Sequence, residues 1–81
     1  MENRLSILSI IVEDRSKASI VNELLGEFGD SIVGRMGLPK TSKNVSVIVI
    51  VLEAPMESIN KLTGKIGQIE GVSAKTLTTK Y

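Results

Sequence analysis

Residues Val45 to Leu52 read VSVIVIVL and form the most regular aliphatic run in the sequence. The run is rich in β-branched side chains and is too short for a typical helix, so the pattern predicts a strand. Side chains alternate between the two faces of a strand, and here both alternating sets are aliphatic. A strand of this kind is covered on both faces, which places it in the centre of a sheet.

The segment before this strand predicts a strand, a helix and a further strand. Arg4 to Glu13 reads RLSILSIIVE and is aliphatic at both parities in the same way. Asp14 is a candidate N-cap, with Ser16 as the alternative. A helical face follows and ends near Gly29; its apolar residues are Ala18, Val21, Leu24, Leu25 and Phe28. Ser31 to Leu38 predicts a strand whose two glycines indicate a bend, a bulge or a close backbone approach.

The segment after the central strand predicts a second helix and a fourth strand. Pro55 suits the first position of a helix. The apolar face of that helix consists of Met56, Ile59, Leu62, Ile66 and Ile69. Gly64 and Gly67 lie inside the helix, where we expect them to permit close packing. Gly71 breaks the pattern, and Val72 to Thr79 predicts a strand that carries Ser and Thr.

The order strand, helix, strand, strand, helix, strand predicts the α+β class. The expected architecture is a ferredoxin-like βαββαβ sandwich, in which two helices cover one face of a four-stranded antiparallel sheet. We expect a single domain over residues 1–81. The first and third strands are central in this plan, and the more polar second and fourth strands form the edges.

Composition argues against most catalytic and metal chemistry. The chain has no His and no Cys, so the commonest general base and the usual transition-metal ligands are missing. Ten Lys and Arg stand against nine Asp and Glu, and the formal charge of +1 gives no strong field for a nucleic acid or a membrane. We therefore expect a cytoplasmic protein that is not an enzyme, holds no cofactor and no metal, and does not contact a membrane.

Aromatic residues bear on RNA binding, because RNA-binding domains of the same βαββαβ plan stack bases on exposed aromatic side chains of their central strands. Here those positions hold Ile, Val and Leu, and the aromatic residues are Phe28 and Tyr81. A helix or ribbon for direct DNA readout is not visible either. We expect no direct contact with nucleic acid.

The aliphatic central strands predict self-association, because two helices cover one face of the sheet and leave the other bare. The bare side chains would form a patch of roughly 500 Å². Covering it is worth on the order of 10 kcal/mol before the costs of association. We expect a homodimer or homotetramer. The pattern does not distinguish the two parities, and we assign the outer face to the set Leu8, Ile10, Val12, Ile48, Ile50 and Leu52.

Two short segments are candidates for a ligand site. The first lies between the first strand and the first helix and consists of Glu13, Asp14, Arg15 and Ser16. Free amides at a helix start suit a carboxylate ligand; alternatively, this loop only caps the helix. The second lies in the glycine-containing strand and consists of Gly34, Arg35, Gly37 and Pro39. Its arginine can pair with a carboxylate or phosphate; alternatively, the string is an irregular edge strand that leads into a turn.

Three segments are specific in combination: ILSIIVEDR (Ile7 to Arg15), VNELLGEFGDSIVGRMGLP (Val21 to Pro39) and LTGKIGQIEGVSAKT (Leu62 to Thr76). Together they resemble a small bacterial family of iron-only hydrogenase system regulators over nearly the whole chain. The resemblance implies an ACT-like fold, related to the C-terminal ligand-sensing domain of the nickel-responsive repressor, and an assembly of dimers or tetramers. It also implies a role in regulating transcription.

This sequence departs from the nickel repressor in two respects. It lacks His and Cys ligands, so nickel sensing is not implied, and it lacks a DNA-binding segment, so an effect on transcription would require a partner. We expect an ACT-like regulatory module that binds a small effector or a partner protein between subunits. The alternative is a protein-interaction or scaffold module that senses no ligand.

Overall fold

A computed structural model describes residues 2–81 and has the predicted α+β architecture. The elements in chain order are β1 (Asn3–Val12), α1 (Ala18–Glu27), β2 (Ile32–Leu38), β3 (Ser46–Pro55), α2 (Met56–Gly67) and β4 (Val72–Thr78). The four strands form one antiparallel sheet in the order β2-β3-β1-β4. The first and third strands are therefore central and the second and fourth are edges, as predicted.

The core lies between the sheet and the helices. From the central strands it takes Leu8, Ile10, Val12, Ile48, Ile50 and Leu52, and from the helices Val21, Leu25, Ile59, Leu62 and Ile66. The assignment of the six strand residues to the outer face is therefore wrong. Both parities of β1 and β3 are aliphatic, so the strand pattern alone could not tell which set the helices cover.

The opposite parity of the sheet faces away from the helices. Antiparallel pairing places on this side Leu5, Ile7, Ser9 and Ile11 of β1 and Val47, Val49, Val51 and Glu53 of β3. The side chains of the β1 set are half-buried, as are the three valines. Met36 and Leu38 of β2 and Leu77 of β4 extend the apolar surface to both edges and are 57%, 49% and 63% exposed. We call this surface the open face.

A β-bulge in β2 sets which of its residues face the helices. The register against β3 shifts between Ile32 and Gly34, so the predicted irregularity is a bulge at Val33. Beyond it, Arg35 and Gly37 pair with core residues of β3 and lie on the helix side, whereas the residue between them lies on the open face.

The glycines of the second half differ in what they do. A Cβ added at Gly64 or Gly67 would meet no atom within 4 Å, so the expectation that they permit close packing is wrong. Gly71 has φ +80°, and its added Cβ would lie 2.8 Å from the Cβ of Asp14. Its carbonyl accepts hydrogen bonds from the amides of Glu13 (2.8 Å) and Asp14 (3.3 Å). Gly71 therefore joins the end of β1 to the start of β4. Pro55 ends β3 and precedes α2, one residue before the predicted helix position.

No helix within residues 2–81 is long and apolar enough to span a membrane.

We predict that Gly71→Ala lowers the free energy of unfolding by about 1 to 3 kcal/mol, because an L side chain is strained at this φ and collides with Asp14. Gly64→Ala is the matched control. It adds the same methyl group in open space within a helix, and is expected to raise the free energy by about 0.5 to 1 kcal/mol. Urea denaturation at one fixed protein concentration measures both, and equal stability of Gly71→Ala and the unmodified chain would contradict this role.

Ser6 is fully buried on the helix side of β1, and its Oγ has no hydrogen-bond partner within residues 2–81. We predict that Ser6→Ala raises the free energy of unfolding by up to about 1 to 2 kcal/mol, because it removes a desolvated hydroxyl. Ser42→Ala, in the exposed β2–β3 loop, should change it by less than about 0.5 kcal/mol. A destabilised Ser6→Ala would mean that the hydroxyl is satisfied in the folded protein.

Candidate functional site

A cavity of about 220 Å³ lies between the start of α1 and the end of edge strand β2. We call it the α1–β2 cavity. Its lining consists of Ala18, Asn22, Arg35, Gly37, Leu38, Pro39, Ser46 and Ile48. Three of these residues carry polar side chains, an amide, a guanidinium and a hydroxyl, and the rest are apolar or glycine. The cavity therefore has one permanent positive charge and no acidic group in its lining.

Arg35 is held over the cavity by helix α1. Its Nη2 donates a hydrogen bond to the Oδ1 of Asn22. Within residues 2–81 the one ion pair is that of Lys65 with Glu27, 3.9 Å apart and exposed, so the guanidinium of Arg35 has no carboxylate partner in the described chain. A guanidinium held by a neutral amide keeps its charge and most of its N–H donors for another group.

The β2–β3 loop fixes the far side of the cavity. Ser46 Oγ donates to the carbonyl oxygen of Pro39 at 2.6 Å. Within the loop, the Thr41 amide and hydroxyl both donate to the carbonyl of Val45, at 3.1 and 3.0 Å. Asn44 takes the left-handed conformation with φ 62°, which asparagine tolerates in turns. The lining from β2 to β3 is therefore tied together by the chain's own hydrogen bonds.

The β1–α1 loop caps itself. The Asp14 carboxylate accepts from the Ser16 hydroxyl at 2.7 Å and from its amide at 3.0 Å, while the Lys17 amide donates to the Asp14 carbonyl at 2.9 Å. The loop is a short 3-10 turn (Arg15–Lys17), and the Ala18 amide bonds back to the Arg15 carbonyl. These amides are thus occupied, and the expectation of free amides for a carboxylate ligand is wrong at these positions.

The structure separates the two predicted ligand segments. Arg35, Gly37 and Pro39 line the α1–β2 cavity, whereas Gly34 sits beside the bulge on the open-face side. The first segment is not part of the lining; it consists of Glu13, Asp14, Arg15 and Ser16. Two of its amides are instead bonded to Gly71, on the β4 side.

The predicted ligand residues do not include five lining residues, which are Ala18, Asn22, Leu38, Ser46 and Ile48. A signal for two of them was present, because residues four apart on a helix share a face. Ala18 and Asn22 have this spacing. However, Ala18 was assigned to the apolar face of α1 that packs on the core, and Asn22 was not considered as a ligand residue. No group of three or more Asp or Glu within residues 2–81 is placed to hold a metal ion.

The Asp14 carboxyl has a lowered pKa, first because of the hydrogen bond from the Ser16 hydroxyl and then because of that from the Ser16 amide. A depressed folded-state pKa stabilises the fold above the unfolded value, and that stabilisation is lost as pH falls through the folded-state pKa. We predict that the stability advantage over Asp14→Asn is constant above pH 3.8, the ordinary value, and shrinks below it.

The pKa of Asp14 is measured by following its carboxyl carbon by NMR across the acid range. Ser16→Ala removes the hydroxyl donor and should raise this pKa toward 3.8. An unchanged titration curve in Ser16→Ala would show that the hydroxyl does not set it.

Comparison with known proteins bears on the identity of the chain. The TM1266-like family model, described as "Iron-only hydrogenase system regulator, putative", matches residues 4–76. The solved structure of the uncharacterized protein TM1266 from Thermotoga maritima is 46% identical, with a TM-score of 0.90, over 98% of this chain and 100% of that chain. A comparison with curated proteins gives no match.

More distant solved structures share the fold. The ACT domain from GTP pyrophosphokinase of Chlorobium tepidum is 16% identical with a TM-score of 0.75, over 98% of this chain and 91% of that chain. CPII, a nitrogen regulatory PII-like protein from Thiomonas intermedia K12 solved with ADP, AMP and bicarbonate, is 20% identical with a TM-score of 0.52, over 93% of each chain. The ferredoxin-like fold is thus of the ACT-like type. Since the family model covers nearly all of β1 through β4, the chain belongs to the TM1266-like family of iron-only hydrogenase system regulators.

Proposed function

We propose that this chain is a homo-oligomeric regulatory module that associates through its open face and responds to a small effector in the α1–β2 cavity. The observation that carries the proposal is the apolar surface left uncovered by the two helices. It extends over all four strands, and its edge residues Met36, Leu38 and Leu77 are about half exposed or more. Burial of such a surface is the main driving force of obligate association.

The charges on the open face favour a second copy as its occupant. Among the strand residues of the described chain, this face carries one cation, Lys75, and one anion, Glu53. Lys75 on β4 pairs with Ser9, and Glu53 on β3 pairs with Leu5. Because β1 lies between β3 and β4, the midpoint of the two charges falls on Ile7.

A two-fold axis that lies midway between two stacked sheets, passes over Ile7 and is perpendicular to the line from Lys75 to Glu53 places Lys75 of each copy over Glu53 of the other. Such an interface is isologous, so one contact pattern is made twice. It surrounds an aliphatic centre with two opposite-charge pairs, which fix orientation more than they add affinity.

Strand β2 connects the cavity in which the effector would bind with the open face through which the chain would associate. Its Arg35 and Gly37 line the cavity, while its Met36 lies between them on the open face. A ligand that moves this edge strand therefore also moves part of the proposed interface. A ligand changes an assembly only through different affinities for its states, and this strand is where such a difference would arise.

The distant relatives lend support to a small effector, since CPII was solved with ADP, AMP and bicarbonate. A regulatory role is further supported by the family and by the ACT-like fold. We propose no catalytic step. An effect on transcription would run through a partner protein, and a module that binds such a partner on its open face without sensing a ligand is the competing candidate.

We predict that Val49→Lys yields a folded monomer, because a lysine in the middle of the open face would bury two charges without partners in the stacked pair. Ile50→Lys is the matched control, since its side chain points into the core and the same substitution should unfold the chain. Sedimentation velocity gives the mass and far-UV circular dichroism the fold. A Val49→Lys variant that keeps the mass of the unmodified chain would contradict the proposed interface.

The proposed pairs of Lys75 with Glu53 provide a second test of the same interface. Lys75→Glu should weaken association by about threefold to tenfold, because it places like charges together. The double variant with Glu53→Lys should recover it. If the double variant associates no better than Lys75→Glu alone, the two-fold arrangement over Ile7 is wrong.

A further inference from the structure

We propose that the α1–β2 cavity binds a small organic monocarboxylate, with the carboxylate on the guanidinium of Arg35 and a short aliphatic body against the apolar lining residues. This deepens the effector role proposed above and rests on it. The inference stands on four features of the cavity: its charge, its unused donors, its glycine and its size.

The charge of the cavity is positive and uncompensated. Arg35 has no carboxylate partner within residues 2–81, and no acidic side chain is in the lining. An anion entering here gains from the charge of Arg35 and meets no repulsion from the lining.

The polar groups of the cavity have donors to spare. A guanidinium has five N–H donors in a planar fork that matches a carboxylate, and Arg35 shows one hydrogen bond, from Nη2 to Asn22. The same Asn22 has an amide nitrogen that can donate to an anion beside the fork. Two side chains on different elements therefore converge on one place for a pair of carboxylate oxygens.

The absence of a side chain at Gly37 leaves space in the α1–β2 cavity. Its φ is not in the left-handed region, and an added Cβ would meet no atom within 4 Å, so neither backbone strain nor close packing requires glycine there. Glycine inside a strand weakens it. What the missing side chain does provide is room on the helix side of β2, next to Arg35.

The size of the cavity and its apolar lining favour some anions over others. A volume of about 220 Å³ has room for about seven water-sized groups, which is enough for a small organic anion. Ala18, Pro39 and Ile48 supply apolar lining beside the polar groups. Inorganic phosphate would leave that surface unused, whereas a carboxylate with a chain of two or three carbons can cover it.

The test is an NMR titration of the uniformly ¹⁵N-labelled chain with sodium propionate at constant ionic strength. We expect saturable shifts at the amides of Ala18, Asn22, Gly37 and Ser46. Propionamide has the same shape without the charge and should give none, and inorganic phosphate should bind at least about tenfold more weakly. Absence of saturable shifts with propionate, or equal binding of phosphate or propionamide, would overturn the proposal.

Two variants and one control assign the site. Arg35→Ala should weaken propionate binding by about tenfold or more, through loss of the charge-assisted hydrogen bonds. Gly37→Leu keeps the charge and fills the cavity, and should abolish binding. Lys61→Ala removes one cation from the exposed surface of α2 and should change affinity by less than about twofold. Unchanged affinity in either cavity variant would place the carboxylate elsewhere.

A measurement of mass in the same samples distinguishes failure of this inference from failure of the proposed function. The mass of the unmodified chain with and without propionate is read in the same samples by sedimentation velocity. If the chain binds propionate in the cavity but sediments as a monomer, the ligand site is supported and the oligomeric module is contradicted. If the chain oligomerises without binding propionate, the oligomeric module is supported and the ligand site is contradicted.

Discussion

Two helices can cover only one face of a sheet, and in this protein the central strands are aliphatic on both faces. Strands β1 and β3 bury one set of side chains completely beneath α1 and α2. The other set remains half-buried on the open face, flanked by exposed apolar residues of both edge strands. In a chain of 81 residues the core is thin, so a second apolar layer on the far side would stabilise the fold substantially.

The open face and the α1–β2 cavity are connected by one strand. Beyond its bulge at Val33, β2 carries Arg35 and Gly37 toward helix α1 and Met36 toward the open face. At the other edge of the sheet, Gly71 ties the end of β1 to the start of β4. The amides of Glu13 and Asp14 in the β1–α1 loop are occupied by Gly71, and those of Ser16 and Lys17 by Asp14. On the β2 side of α1, by contrast, the guanidinium of Arg35 has no carboxylate partner within residues 2–81.

Much of the fold was predictable because each element carries its own local signal. The aliphatic runs of β1 and β3, the helical spacing of α1 and α2 and the polar character of the edges led to the observed topology. The orientation of the sheet was not predictable, because Leu8 and Ile7 are equally suited to a core and only the path of the helices distinguishes them. Gly64 and Gly71 are likewise the same letter in the sequence, yet one lies in open space and the other has a positive φ against Asp14.

The candidate site was predictable only in part. Arg35 between two glycines is visible in the sequence, and the alternation of a strand puts Arg35 and Gly37 on one face. Their partners Asn22 and Ser46 come from other elements and are brought in by tertiary packing, which no local pattern encodes. The hydrogen bonds that occupy the amides after Asp14 depend on the backbone of the loop and were equally out of reach of composition and spacing.

We propose that a second copy of the chain covers the open face. Sedimentation equilibrium of the unmodified protein in dilute buffer tests it most directly, because the mass follows without assumptions about shape. We predict a mass of at least 17.4 kDa that is a whole multiple of 8.7 kDa, down to low micromolar concentration, since a dimer has twice the mass of the 8.7 kDa chain. A single species of 8.7 kDa across the concentration range would contradict it.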